Sequence, residues 1–124
     1  RVLESPEMTQ RCADEGVVFN VIPTTWRYVP KNDQGELVWR GHPIRSMVEH
    51  GLRIAINSDD PGIMGTNPAE AYVTASSMGF SLHEFKKFML NGISAAWVPD
   101  DVKAEWTRQW SEEVDMLIPQ VVDK

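Results

Sequence analysis

The apolar positions of this chain change period several times along its length, and each change marks an element. Ser5-Pro6 at one end and Gly16 at the other have the order of an N-cap, a first-position proline and the residue just past a helix end, so a helix is predicted between them. Met8 and Cys12 stand four apart on one face of it, which predicts that Cys12 is a small core residue. Val17-Val18-Phe19-Asn20-Val21-Ile22 follows, a nearly unbroken apolar run closed by Pro23. Such a run, rich in β-branched residues, predicts a strand buried on both faces, as in a parallel sheet. Residues 43–50 return to a helical period, with Ile44, Met47 and Val48 on one face and Gly51 at the end. Residues 52–58 then alternate, Leu52, Ile54 and Ile56 against Arg53, Ala55 and Asn57, which predicts a second strand.

The second half is helical in pattern. Asn67-Pro68-Ala69-Glu70 combines a cap, a first-position proline and an acid three residues after the cap, predicting a helix over 68–78 that Gly79 ends. Ser81-Leu82-His83-Glu84 is a capping box for a further helix to about residue 93. Asp100 is placed to cap the last helix. Along it Val102, Trp106, Trp110, Val114 and Leu117 form one apolar stripe, which predicts core packing. Residues 23–41 remain as a long connection holding Thr24, Thr25, Trp26, Tyr28, Pro30, Gly35, Trp39 and Gly41. A loop beyond about 12–15 residues is usually functional, and its aromatics suggest that it packs over a pocket.

Each strand lies between helices, so the two are expected to be parallel neighbours with a right-handed crossover. Two parallel strands do not close a sheet. The α/β order matches the end of a (β/α)₈ TIM barrel, which takes about 250 residues, and this chain has 124. The whole of residues 1–124 is therefore expected to be a C-terminal segment carrying the last two strands, with the N-terminal remainder of the barrel supplied elsewhere. The absence of an initiator methionine fits the same expectation.

Composition narrows the function. The formal net charge of −6, with no block of basic residues, argues against nucleic acid, which needs cations to neutralise phosphates. No apolar run approaches the roughly 20 residues that span a bilayer. Cys12 is the only cysteine, so no intrachain disulfide forms, and a reducing, cytoplasmic location is expected.

The candidate chemistry lies in INSDDPGIMG, residues 56–65. Asp59 and Asp60 fall at the C-terminal end of the second strand, where barrel enzymes place their active sites. Alternation along a strand would point neighbouring carboxylates in different directions. A carboxylate there suits a zinc ion. Asp-Asp-Pro-Gly is also a run of turn formers, and composition alone favours a plain turn. The histidines do not complete a metal set: His42, His50 and His83 lie on different elements, with no His-x-His or His-Glu-x-x-His. His42 reads as a cap or packing residue, His50 as a partner of its helix dipole, and His83 as exposed. Of the five tryptophans, Trp106 and Trp110 belong to the stripe; Trp26 and Trp39 are the aromatics that could face a substrate, and Trp97 belongs to neither group.

The stretch HPIRSMVEHGLRIAINSDDPGIMGTNPAEAY resembles the adenosine/AMP deaminase family of metal-dependent aminohydrolases. It has the family's His-Pro helix start at His42-Pro43, its apolar strand, its Ser-Asp-Asp-Pro at Ser58-Asp59-Asp60-Pro61 and its later tyrosine at Tyr72. Downstream, Gly79-Phe80, Glu84-Phe85, Asn91 with Ser94, and Pro99 with Lys103 are similar to the family's pattern. The similarity covers about residues 16–115.

The resemblance implies a (β/α)₈ barrel that deaminates a 6-aminopurine such as adenosine hydrolytically, giving an inosine-type product and ammonia. A zinc ion would lower the pKa of bound water, and the hydroxide would attack the amino-bearing carbon. Asp59 would match the catalytic, zinc-ligating aspartate; Asp60 would match the catalytic, substrate-binding neighbour that hydrogen-bonds a purine ring nitrogen. The family's other zinc ligands and its proton-donating glutamate lie upstream of this segment. One Zn²⁺ is thus implied, with its remaining ligands outside residues 1–124, and the segment alone is expected to be inactive. Two competing readings are a non-catalytic or decayed barrel module that associates with a partner chain, and another purine or pyrimidine amidohydrolase. Asp60 and Pro61 favour the adenosine branch.

Overall fold

The computed structural model describes residues 2–24 and 29–122. After a 3-10 turn at Val2–Glu4 come α1 (Pro6–Asp14) and β1 (Val18–Val21). A 3-10 turn at Trp39–Gly41 leads into α2 (Pro43–Glu49) and β2 (Arg53–Ile56). Then follow α3 (Pro61–Met64), α4 (Pro68–Ser76), α5 (Leu82–Ala95) and α6 (Asp100–Val122). The strands pair in parallel, Val18 opposite Arg53 through Val21 opposite Ile56, as the order of elements predicts. No described helix is long and apolar enough to cross a membrane.

The caps lie where the sequence puts them. Ser5 Oγ accepts from the Met8 amide at 3.3 Å. Complete capping boxes join Asn67 with Glu70 and Ser81 with Glu84, each satisfying two otherwise orphaned backbone donors. The last helix differs by a residue: it begins at Asp100, and the Pro99 carbonyl accepts from Lys103 N at 3.0 Å, so the cap position falls on Pro99.

Glu84 does more than cap. Burial pushes its carboxyl up, but hydrogen bonds from the Ser81 backbone and hydroxyl, with the charges of Arg45 and Lys87, outweigh that and hold it below the usual carboxylate range. A lowered folded pKa gives stability that is complete above the ordinary glutamate value of about 4.3 and is lost as pH falls through the folded value. Wild type is therefore expected to exceed Glu84→Gln in thermal stability at neutral pH and to lose that advantage towards pH ~3. Melts across this range check it; a gap that stays constant would show that the charge contributes nothing.

The core gathers where β2 meets α2, α4 and α5. Val21, Ile44, Ile54, Ile56, Ala71, Met78 and Phe88 form one buried cluster. β2 is buried throughout at Ile54, Ala55 and Ile56, as an inner strand should be. β1 is not: Val21 is buried, but Val18 and Phe19 are half-buried and Asn20 is exposed. The expected burial on both faces fails because β1 has a neighbour on one side only.

Two further expectations need correction. In α1 the buried residue is Thr9, whose hydroxyl donates to the Val2 and Ser5 carbonyls, while Met8 is exposed and Cys12 half-buried. That helix packs chiefly on the preceding 3-10 turn and not on the core. Along α6, Val102, Trp106 and Val114 are half-buried, but Trp110 and Leu117 are exposed. The stripe has α5 on one side, tied by Lys86 Nζ to Asp115 at 2.7 Å, and Trp106 stacks on Trp110 with centroids 6.1 Å apart.

Arg53 opens β2 and joins three elements. Its guanidinium donates to Asn91 Oδ1 at 3.1 Å, to Ser94 Oγ at 2.8 Å and to the Gly16 carbonyl at 3.4 Å. The long connection is partly organised by Asn32, whose Oδ1 accepts from the Gln34 and Glu36 amides beside a bridge between Lys31 and Leu37. Trp39 packs against the core. Thr25, Trp26 and Tyr28 lie outside the described residues.

Candidate active site

The ladder between the strands ends at Asn57, whose amide donates to the Val21 carbonyl at 2.9 Å. Its side-chain Nδ2 donates to Asn20 Oδ1 at 3.0 Å, so two amides are joined at the C-terminal end of the sheet. Two residues later Asp59 adopts φ 57°, the one non-glycine residue with positive φ among those described. L-residues other than Gly, Asn and Asp are strained in this left-handed region.

The turn reverses into α3, a four-residue helix that the sequence pattern did not predict. Asp60 occupies its N-cap position, Pro61 its first turn, and Gly65 closes it at φ 64°. Asp60 does not cap it: its side chain makes no bond to the helix backbone, and only its carbonyl accepts, from Ile63 N at 3.0 Å.

This corrects the expectation from strand alternation. β2 stops at Ile56, so neither aspartate belongs to a pleated strand. The left-handed residue, not a period of two, sets their directions. It also weakens the plain-turn reading. Aspartate favours turns because its carboxylate bonds nearby backbone amides, yet neither Asp59 nor Asp60 does so, and both are exposed. Neither forms an ion pair among the described residues.

The histidines fall apart spatially as the sequence suggests. His42 is buried, and its Nδ1 accepts from Ile44 N at 3.2 Å, capping α2. That bond places the neutral ring's proton on Nε2. His50 Nδ1 lies 2.8 Å from the Ser46 carbonyl at the other end of α2, and His83 is exposed. Tyr72 packs edge-on against Phe85 at 5.6 Å, and burial pushes its hydroxyl pKa up. Among the described residues no group of three His, Cys, Asp or Glu could hold a metal ion.

Sequence reasoning missed three polar features. The Asn20–Asn57 pair could have been found from an asparagine placed just before Ser-Asp-Asp. The hydroxyls of Thr24 and Thr66 are buried without a hydrogen-bond partner among the described residues. Thr66 carries no sequence signal beyond its place before the Asn67 cap.

With this geometry in hand, comparison with known proteins is direct. The profile of the adenosine deaminase family matches residues 1–113. An adenine deaminase of Rhizobium meliloti is 34% identical over 107 residues, covering 83% of this chain and 31% of that protein. An Escherichia coli adenosine deaminase is 35% identical over 63 residues, 50% of this chain and 19% of that one. The crystal structure of an amidohydrolase from Burkholderia ambifaria, with bound Zn, superposes with a TM-score of 0.87 at 41% identity, over 99% of this chain and 34% of that chain. The adenine deaminase of Arthrobacter aurescens superposes with a TM-score of 0.76 at 27% identity, over 93% of this chain and 34% of that one. The chain thus spans about a third of the length of the relatives it matches most widely, and its parallel pair with surrounding helices corresponds to that part of an amidohydrolase barrel.

Proposed function

Because the chain belongs to the adenosine deaminase family, we propose that residues 1–124 are the C-terminal segment of a zinc-dependent aminohydrolase acting on a 6-aminopurine, and that Asp59 and Asp60 are the segment's share of the active site. The observation that carries this is the left-handed turn after β2, which leaves two adjacent carboxylates exposed and uncommitted to the local backbone.

The fit to zinc is partial. Asp59 offers one anionic oxygen donor of a type zinc accepts, whereas a zinc site takes three or four protein ligands, and the described residues provide no such set. Asp59 would therefore hold the ion together with donors outside this segment. Bound there, zinc would supply an acidified water as nucleophile. Asp60, an acceptor when ionised and a donor when protonated, would orient the purine edge through a ring nitrogen. We further propose a cytoplasmic setting, on the single half-buried Cys12.

The same incompleteness supports the second reading, a module that acts only by associating with a partner chain. One experiment separates them. The full-length polypeptide is purified without chelator, its metal content measured, and ammonia release followed with adenine and with adenosine; the free base comes first because the widest-matching relatives are adenine deaminases. Zinc near one ion per chain with release from either substrate is expected. A metal-free, inactive polypeptide would overturn the proposal in favour of the module.

A further inference from the structure

β2 has two backbone edges, and β1 occupies one. In a parallel pair alternate residues turn both backbone groups towards the same neighbour. The Asn57 amide bonds the Val21 carbonyl, and Val21 stands opposite Ile56, so Ala55 and Asn57 face β1 while Ile54 and Ile56 face away. No third strand lies on that outward edge among the described residues.

The edge differs between its two ends. At Ile54 the carbonyl accepts from Asn91 Nδ2 of α5 at 2.9 Å, and Asn91 is itself held by Arg53 Nε at 3.1 Å. At Ile56 the outward backbone groups meet no described strand or side chain, although the residue is only 9% exposed. Beside it opens a groove of about 410 Å³, with Gly92, Ala95 and Ala96 of α5 and its C-terminal end on one wall and Trp106 and Trp110 of α6 on another.

We propose that a parallel strand, from the part of the barrel outside this chain, seats in this groove and pairs with Ile56, and that Asn91 ends that ladder at Ile54. This rests on the reading above that the chain is one segment of a barrel. A strand is the occupant that answers an open peptide edge, because buried N–H and C=O groups need partners in ladder geometry. The small residues on the α5 wall leave room for its backbone. The matched amidohydrolases are long enough to supply it, since this chain covers 34% of each. Strands in a closed barrel are staggered by the shear, so neighbours do not run flush. A side-chain amide on the Ile54 carbonyl fits the place where the neighbour has not yet begun. A strand that joins at Ile56 and runs with β2 ends beside Asp59.

The test is amide hydrogen exchange by NMR on the full-length polypeptide. The Ile56 backbone amide and the Asn91 side-chain amide are both expected to exchange at least about 100-fold more slowly than unstructured amides. An unprotected Ile56 amide would show that no strand seats there. A freely exchanging Asn91 side chain, with Ile56 protected, would show that the strand has displaced it and that Asn91 ends nothing. Protection at both sites in a polypeptide that releases no ammonia from 6-aminopurines would leave the docking intact while removing the catalytic reading.

Discussion

In the full-length polypeptide, Asp59→Ala is expected to abolish turnover and weaken metal binding, whereas Asp60→Ala should cost turnover on the order of 10²–10³-fold, the usual effect of losing one oriented hydrogen bond in an active site, with metal content nearly unchanged. Equal loss of zinc in both variants would contradict the division of roles. The backbone adds a sharper test. Asp59 sits at φ 57°, where glycine is at ease and alanine is strained by about 1–2 kcal/mol. Asp59→Gly should therefore fold at least as stably as wild type to within about 1 kcal/mol, yet lose activity as completely as Asp59→Ala. Activity lost without stability lost marks a side chain kept for chemistry. Full turnover in Asp59→Gly would reduce Asp59 to a turn former.

The largest effect on stability is expected at Phe88. It is 3% exposed and meets Phe80 and Phe85 edge-on, at centroid distances of 5.1 and 6.0 Å. Truncation to alanine removes the buried ring area and leaves a cavity between α5 and the sheet, costing about 3–5 kcal/mol. Against a total of roughly 5–15 kcal/mol, that is a large fraction of what keeps the fold. Phe88→Leu should recover most of it, since swaps that conserve volume cost less than about 1.5 kcal/mol. Trp97→Ala is the control: fully exposed, it should stay within about 0.5 kcal/mol of wild type. Denaturant unfolding read as midpoints orders the three. A Phe88→Ala midpoint equal to that of Trp97→Ala would show that the aromatic cluster is not the centre of the fold.

Much of this architecture was legible because local chemistry and tertiary structure agree. Ser5, Asn67 and Ser81 announce helix starts through side-chain oxygens that serve the first turn wherever the helix later packs. The β2 pattern was readable for the same reason: its apolar residues are buried on both faces. Burial of β1 and of the α6 stripe was overestimated, because an apolar pattern states what a segment can bury and not what stands beside it. The two aspartates were visible as residues but not as geometry. A period-two argument stops at the last paired residue, and nothing in Asp-Asp-Pro-Gly says which residue takes the left-handed conformation. The Asn91 contact with the Ile54 carbonyl lay further out of reach, since it joins positions 37 residues apart.

Arg53 carries one more consequence. Its three bonds reach residues 38, 41 and 37 positions away, to Asn91, Ser94 and Gly16. None can form until the chain between has been closed into large loops, while the capped helices assemble from neighbours in sequence. A folding chain reaches these bonds late, after its rate-limiting step. Contacts absent from that step leave the rate of folding nearly unchanged and govern the rate of escape. Arg53 is in that sense a latch: it does little to guide the chain into its native state and much to set how long the chain stays there.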